Sequence, residues 1–150
     1  MRVLVQRVSQ ASVEIAGEQV AEIAEGLLVL VGFEEADSEE DVAWVAGKLA
    51  KLRIFDDSEG VMNLSVEQID GEVIVVSQFT LHAQTKKGNR PSYIKAARPE
   101  VAIPLYNTFI KMLTVELGKP VQTGRFGAEM QVSLVNNGPV TIWIDSKAKE

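Results

Sequence analysis

Three short stretches of this sequence hold side chains whose type and spacing could do chemistry. The first is "SQFTLH", residues 77 to 82. If it is extended, Ser77, Phe79 and Leu81 face one way while Gln78, Thr80 and His82 face the other, because side chains alternate. Thr80 and His82 would then stand roughly 7 Å apart at their Cα atoms, a spacing from which a hydroxyl could meet an imidazole as nucleophile and base. The same residues serve equally well as a packing or hydrogen-bonding pair on a sheet. The second stretch is "TKKGNRPSYIKAAR", residues 85 to 98, with five basic residues (Lys86, Lys87, Arg90, Lys95, Arg98) and no acidic one. The third is "VNNGPVTIWID", residues 135 to 145, in which Gly138-Pro139 interrupts two segments rich in strand-forming residues. Asn137-Gly138 is a common hairpin turn pair, but Pro139 lacks a backbone N–H and holds Gly138 away from the helical region. From the dipeptide alone, a rigid hairpin turn is the plain reading.

Composition removes several kinds of chemistry. There is no cysteine and a single histidine, His82, so disulfides, thiolate nucleophiles, cysteine–zinc sites and histidine-rich metal sites are excluded. No metal or other cofactor is expected. Asp56, Asp57 and Glu59 before Gly60 have ordinary turn composition. The net charge of −6 argues against a general nucleic-acid binder. Its distribution argues the other way: without the five cations of residues 85 to 98, ten basic residues face twenty-one acidic ones, leaving −11. One segment is a positive island on a negative body, either a solvated loop or a phosphate-facing patch with Tyr93 as a stacking group. The N-terminus "MRVLVQRV" lacks a signal-peptide pattern, and the longest apolar run, Leu27 to Phe33, is far short of a membrane span. A cytoplasmic protein without a membrane partner is the expectation.

The elements that must position these stretches follow from periodicity. "RVLVQRVSQASVEI" alternates and reads as two strands turning near Ser9-Gln10, whereas "GLLVLVGF" suits a strand buried on both faces. Ser38 can cap a helix with Asp41 at its third position, and Val42, Val45, Leu49 and Leu52 follow at helical spacing to about Lys51. "KLRIFDD" and "EVIVVSQFTL" read as strands. A second helix aligns Val101, Leu105, Phe109, Met112, Leu113 and Leu117, ends at Gly118 and Pro120, and has an uncertain first turn at Pro104. "AEMQVSLVNN" and "PVTIWID" close the chain as a strand pair. The sum is one α/β domain over residues 1–150, with mixed, curved, barrel-like sheet packed by two main helices.

The quoted residues resemble a known family. "SQFTL" at 77 to 81, "TKKGNRPSY" at 85 to 93, "GRFGAEMQVSLVNNGPVT" at 124 to 141 and "QRV" at 6 to 8 are similar to the D-aminoacyl-tRNA deacylases of the D-tyrosyl-tRNA deacylase type, in order along the whole chain. Asn137, Gln84 and His82 depart from that family's commonest residues. The resemblance implies a cis Gly138-Pro139 bond that enters the active site of the other subunit of a homodimer, with Arg7 bracing it and Met130 packed beside it. It also implies that Phe79 or Thr80 offers a backbone N–H to the ester carbonyl, while Ser77 and Gln78 shape the pocket. Lys86, Lys87 and Arg90 would contact tRNA.

On this comparison the chain would cleave D-aminoacyl-tRNA, and glycyl-tRNA mischarged on alanine tRNA, as translation quality control. Thr80 has two roles open to it, nucleophile or pocket lining. Lining is favoured, because the aminoacylated ribose already carries a vicinal hydroxyl that can activate or position water. The alternatives are a threonine-dependent esterase using Thr80 and a tRNA-binding module without catalysis.

Overall fold

In the computed structural model, which describes residues 1–150, a single long strand organises the sheet. This is β1, Arg2–Ile15, and it runs unbroken through Ser9-Gln10, where two strands and a turn were expected. No turn forms because β8 runs along one edge of β1 past both residues. One edge pairs with β2 (Glu18–Ile23) and β3 (Gly26–Gly32), and the other with β8 (Gln131–Asp145), all antiparallel. The Ser9-Gln10 region shows instead as a register shift, a bulge that bends the strand.

Beyond β3, helix α1 (Glu39–Ala50) and a small hairpin of β4 (Phe55–Asp56) and β5 (Met62–Leu64) lead into β6 (Glu72–Ser77). β6 pairs in parallel with β3. Helix α2 (Pro99–Leu117) then crosses to β7 (Gln122–Thr123), which is parallel to β6. The sheet order is β2-β1-β3-β6-β7, with β8 on the free side of β1. Its ends nearly meet: the Gln122 side chain accepts from the Glu22 N–H at 2.8 Å and donates to the Glu22 carbonyl at 2.7 Å, standing in for a strand partner. The expected curved, barrel-like sheet with two helices is therefore present.

The helices form for the reasons read in the sequence. At the start of α1, the Asp41 carboxylate accepts from the Ser38 N–H at 2.9 Å and its hydroxyl at 3.2 Å. Gly118 closes α2 in the left-handed region, with φ +69°. The buried face of α2 is rotated from the expected one: Ala102, Tyr106, Phe109, Leu113 and Leu117 are buried, whereas Val101, Leu105 and Met112 are only half-buried at its flanks. Pro104 sits within the helix where only the Glu100 carbonyl loses a donor. One core lies between the helices and the sheet, around Val3, Val5, Val29, Val75 and Phe109. A second cluster gathers around Val8, Val13, Leu28 and Ile74. No helix is long and apolar enough to cross a membrane.

Candidate active site

The carboxyl ends of the parallel strands β3 and β6 open into a cleft of about 290 Å³. Such ends are where open α/β sheets leave room for ligands. Gly32, Ser77, Gln78, Phe79, Phe126 and Met130 are in its wall, and most of the remaining lining is apolar.

β6 ends at Ser77, whose partner Val31 is the last residue of β3 paired with β6, and Gln78 N donates to Val31 O at 2.7 Å. The chain then leaves the sheet as a 3₁₀ turn, Phe79–His82. The expectation of a strand through "SQFTLH", with Thr80 and His82 on one face, is thus corrected: the partner strand runs out, so alternation stops. The first hydrogen bond of the turn runs from Leu81 N to Gln78 O at 3.2 Å, which leaves the amides of Phe79 and Thr80 without partners inside the turn. Two adjacent donors on a rigid turn beside a cleft are suited to stabilising an oxyanion. The Gln78 amide donates to the Thr80 hydroxyl, and Thr80 is half-buried outside the cleft wall. No hydrogen bond joins Thr80 to His82. The His82 ring is 1% exposed with both nitrogens unpartnered, and its pKa lies below the ordinary value, mainly through burial and then through nearby positive charge on Arg2 and the amino terminus.

The Gly138-Pro139 region is built differently. Residues 131 to 145 form one continuous strand along β1, so the expected closing strand pair is corrected. Val8 pairs with Asn136 and Gln6 with Thr141, so Asn137, Gly138, Pro139 and Val140 all stand opposite the single residue Arg7. They project as an arch, with Asn137, Gly138 and Pro139 exposed. The Gly138-Pro139 bond is cis.

Arg7 is 8% exposed beneath the arch. Its Nε donates to the Asn137 carbonyl at 2.9 Å, and its Nη1 donates to the Ile54 carbonyl at 2.7 Å and lies 3.4 Å from Asp56 Oδ1. Asn136, which sequence reasoning passed over, ties the neck: its amide donates to the carbonyls of Arg7 and Val140, each at 3.0 Å. The signal available was an amide immediately before Asn-Gly-Pro, where a side chain with two donors can bind backbone acceptors. Phe126 in the cleft wall was also missed as an individual residue.

Met130 lies in the cleft wall and fits against Gly124, where a Cβ would sit 2.3 Å from its sulfur. Arg7, Gly138 and Pro139 are absent from that wall, so the structure does not bring the arch to the cleft of its own chain. The basic loop is pinched at its neck by two hydrogen bonds between Gln84 and Ser92, at 2.8 and 3.0 Å. Lys86, Lys87 and Arg90 are exposed and make no ion pair. No cluster of three His, Cys, Asp or Glu residues could hold a metal.

Residues 4–145 match the family model described as D-Tyr-tRNA(Tyr) deacylase. The chain belongs to the D-aminoacyl-tRNA deacylase family. It is 65% identical over 150 residues to the D-aminoacyl-tRNA deacylase of Flavobacterium psychrophilum and 63% identical to that of Flavobacterium johnsoniae, with both chains covered completely in each case. Among solved structures, a c-Myc DNA Unwinding Element Binding Protein superposes with a TM-score of 0.91 at 39% identity, over 99% of this chain and 100% of that one. A probable eukaryotic D-amino acid tRNA deacylase superposes with a TM-score of 0.81 over 95% of this chain and 97% of that one; at 21% identity it shares the fold. The family assignment accounts for the order of SQFTL, the basic loop and the Gly-Pro arch along one chain.

Proposed function

We propose that this member of the deacylase family hydrolyses the ester joining a D-amino acid, or glycine mischarged on alanine tRNA, to the terminal ribose of tRNA. Water adds to the ester carbonyl, the bond to the ribose oxygen breaks, and the products are the free amino acid and tRNA with its hydroxyl restored. The observation that carries this reading is the separation of two features within one chain. A cleft walled by Ser77, Gln78 and Phe79 has free backbone donors, and an arch at Gly138-Pro139 is braced from below yet absent from that cleft.

An arch held by a buried arginine and exposed at its tip is suited to act on another molecule. In a homodimer it enters the partner's cleft. The unpaired outer edge of β8, 15 residues long, supports association of two copies, since such edges invite a partner. In the joined site the amides of Phe79 and Thr80 face the ester carbonyl, and carbonyls of the arch accept from the substrate ammonium. With both groups held, a D side chain points out of the cleft, an L side chain meets protein, and glycine has nothing to reject.

Thr80 lines the site in this mechanism. Its hydroxyl is engaged by Gln78 and lacks a base, and this supports leaving the activation of water to the vicinal ribose hydroxyl. The test is deacylation of D-, L- and glycyl-tRNA, together with a D-aminoacyl-tRNA whose terminal ribose lacks the 2′-hydroxyl. D and glycyl substrates are expected to be cleaved, L spared, and the deoxy substrate slowed by orders of magnitude. Thr80→Ala is expected to keep most activity. Equal cleavage of D and L substrates overturns the substrate assignment, and an acyl-threonine adduct overturns the RNA-assisted step.

A further inference from the structure

Arg2 has no place in the site described so far, yet its side chain is committed in three directions. Its Nε donates to Asp145 Oδ2 at 3.0 Å, its Nη1 donates to the Leu81 carbonyl at 3.0 Å, and its guanidinium lies over the Trp143 ring, 5.6 Å from the centroid. The backbone of Arg2 pairs with Gly32 on one edge and with Asp145 on the other. Trp143 and Asp145 share a face of β8, because side chains two apart on a strand point the same way. The Asp145 carboxyl is held below its ordinary pKa: burial opposes ionisation, but hydrogen bonds from the Lys147 N–H and from Arg2 outweigh it. The pair is therefore charged on both sides.

Leu81 belongs to the 3₁₀ turn Phe79–His82, and its carbonyl is where the turn would fray. Gln84 N, which would continue the turn by donating to Leu81 O, donates to Ser92 O instead. Of the hydrogen bonds from side chains outside residues 77 to 83, the one from Arg2 is the one that reaches the turn. The other face of the turn sits on Gly32, where a Cβ would lie 2.7 Å from Gln78 O and 3.1 Å from His82 Cδ2. A bare glycine lets the turn approach the sheet, and Arg2 fastens its carboxyl end there.

We propose that Arg2 is a positioning residue for ester hydrolysis: it clamps the Leu81 carbonyl and so fixes the turn whose Phe79 and Thr80 amides meet the ester carbonyl, while Asp145 holds Arg2 in place. This rests on the deacylase reading above. A lysine cannot reach both partners with a planar fork, so the clamp calls for arginine.

Three measurements test the clamp, on Arg2→Lys and on the milder Asp145→Asn. On D-aminoacyl-tRNA, Arg2→Lys is expected to lower kcat about tenfold with KM little changed, since a small misplacement of oxyanion donors is felt in the transition state. Asp145→Asn should show a smaller loss on the same parameter. The second measurement compares affinities for an acceptor-stem RNA hairpin ending in a D-amino acid amide and for one ending in the tetrahedral D-aminophosphonate ester. The parent is expected to prefer the phosphonate, and Arg2→Lys to lose most of that preference while binding the amide as before; the ratio does not depend on the fraction of folded protein. In the third, hydrogen exchange at the Leu81 and Ala83 amides is expected to accelerate in Arg2→Lys while Val75 keeps its protection. Parent-like kcat and an intact phosphonate preference overturn the proposal, and faster exchange alone would leave Arg2 a purely structural role. A parent that cleaves no D-aminoacyl ester defeats the deacylase reading itself, whatever the exchange shows.

Discussion

The turn at residues 77 to 83 and the arch at residues 137 to 140 both interrupt strands, and they do so for opposite reasons. "QFTLH" has the alternating apolar pattern of a strand, yet the chain leaves the sheet there. "NNGPV" holds a dipeptide hostile to a strand, yet the sheet resumes beyond it. Partner supply separates the two cases. β6 makes its last pair with Val31, one residue before β3 ends at Gly32, whereas β8 still has residues 2 to 6 of β1 to pair with once the arch is passed. A strand ends when its ladder partners end, and a local defect is bridged when they continue. The first outcome leaves Phe79 in the wall of the chain's own cleft, and the second pushes Asn137, Gly138 and Pro139 out to the surface.

The largest effect is expected from disturbing the arch. Gly138 has φ +144°, where L side chains are rare, and a Cβ there would lie 2.7 Å from Val140 N. Gly138→Ala is therefore expected to reshape the tip and to lower kcat/KM for D-aminoacyl-tRNA on the order of 100-fold. Stability should fall by only about 1–3 kcal/mol. Steady-state kinetics beside a thermal melt check both, and near-parental activity would remove the arch from the mechanism.

Next comes its brace. Arg7→Ala strips donors from the Ile54 and Asn137 carbonyls, and denaturant unfolding is expected to show a loss of about 2–4 kcal/mol. A lysine offers no planar fork to reach both carbonyls, so Arg7→Lys should recover less than half of that loss. If the two regions are independent, hydrogen exchange in Arg7→Ala should accelerate around Val140 while the amides of Leu81 and Ala83 keep their protection.

The two regions also differ in charge, since the turn leads into the basic loop and the arch is neutral. Replacing Lys86, Lys87 and Arg90 with Ala is expected to weaken tRNA binding about tenfold and to lower the salt slope by about two to three. Thermal stability should shift by less than about 0.5 kcal/mol. Gly138→Ala should leave the salt slope alone. An unchanged slope in the triple variant would take these three cations out of the RNA contact.

The smallest effect concerns His82 at the end of the turn. Arg2, Glu34 and the amino terminus are the charged groups near it, and burial holds its folded pKa below the ordinary 6.5. The unfolded chain thus binds a proton more readily. The stability associated with a neutral His82 is complete above pH 6.5 and declines as pH falls toward the folded value. Asp41, Asp57, Asp70 and Asp145 all have lowered values, so their loss comes at more acid pH. Denaturation midpoints measured just below pH 6.5 should slope in the parent and be nearly flat in His82→Leu. A slope that persists in the variant would assign it to another group.

Local rules were enough for some elements. The cap at Ser38 and Asp41, the left-handed stop at Gly118 and the buried run of β3 each depend on a few neighbouring residues, and all appear where the sequence places them. The tRNA-deacylase signatures were legible for the same reason: they are short contiguous strings. What the sequence could not decide was where pairing would stop. The continuity of β1 through Ser9-Gln10, the early end of β6 and the resumption of β8 after Pro139 depend on how long each neighbouring strand is, and those lengths belong to residues far away in the chain. The site followed the same division. Ser77, Gln78 and Phe79 could be named from their motif, but the 3₁₀ turn after them, the exposed Phe79–Tyr93 corner and the Asn136 tie across the arch arise only when distant strands meet. The sequence determined the chemical groups, and the tertiary structure decided which way each one faces.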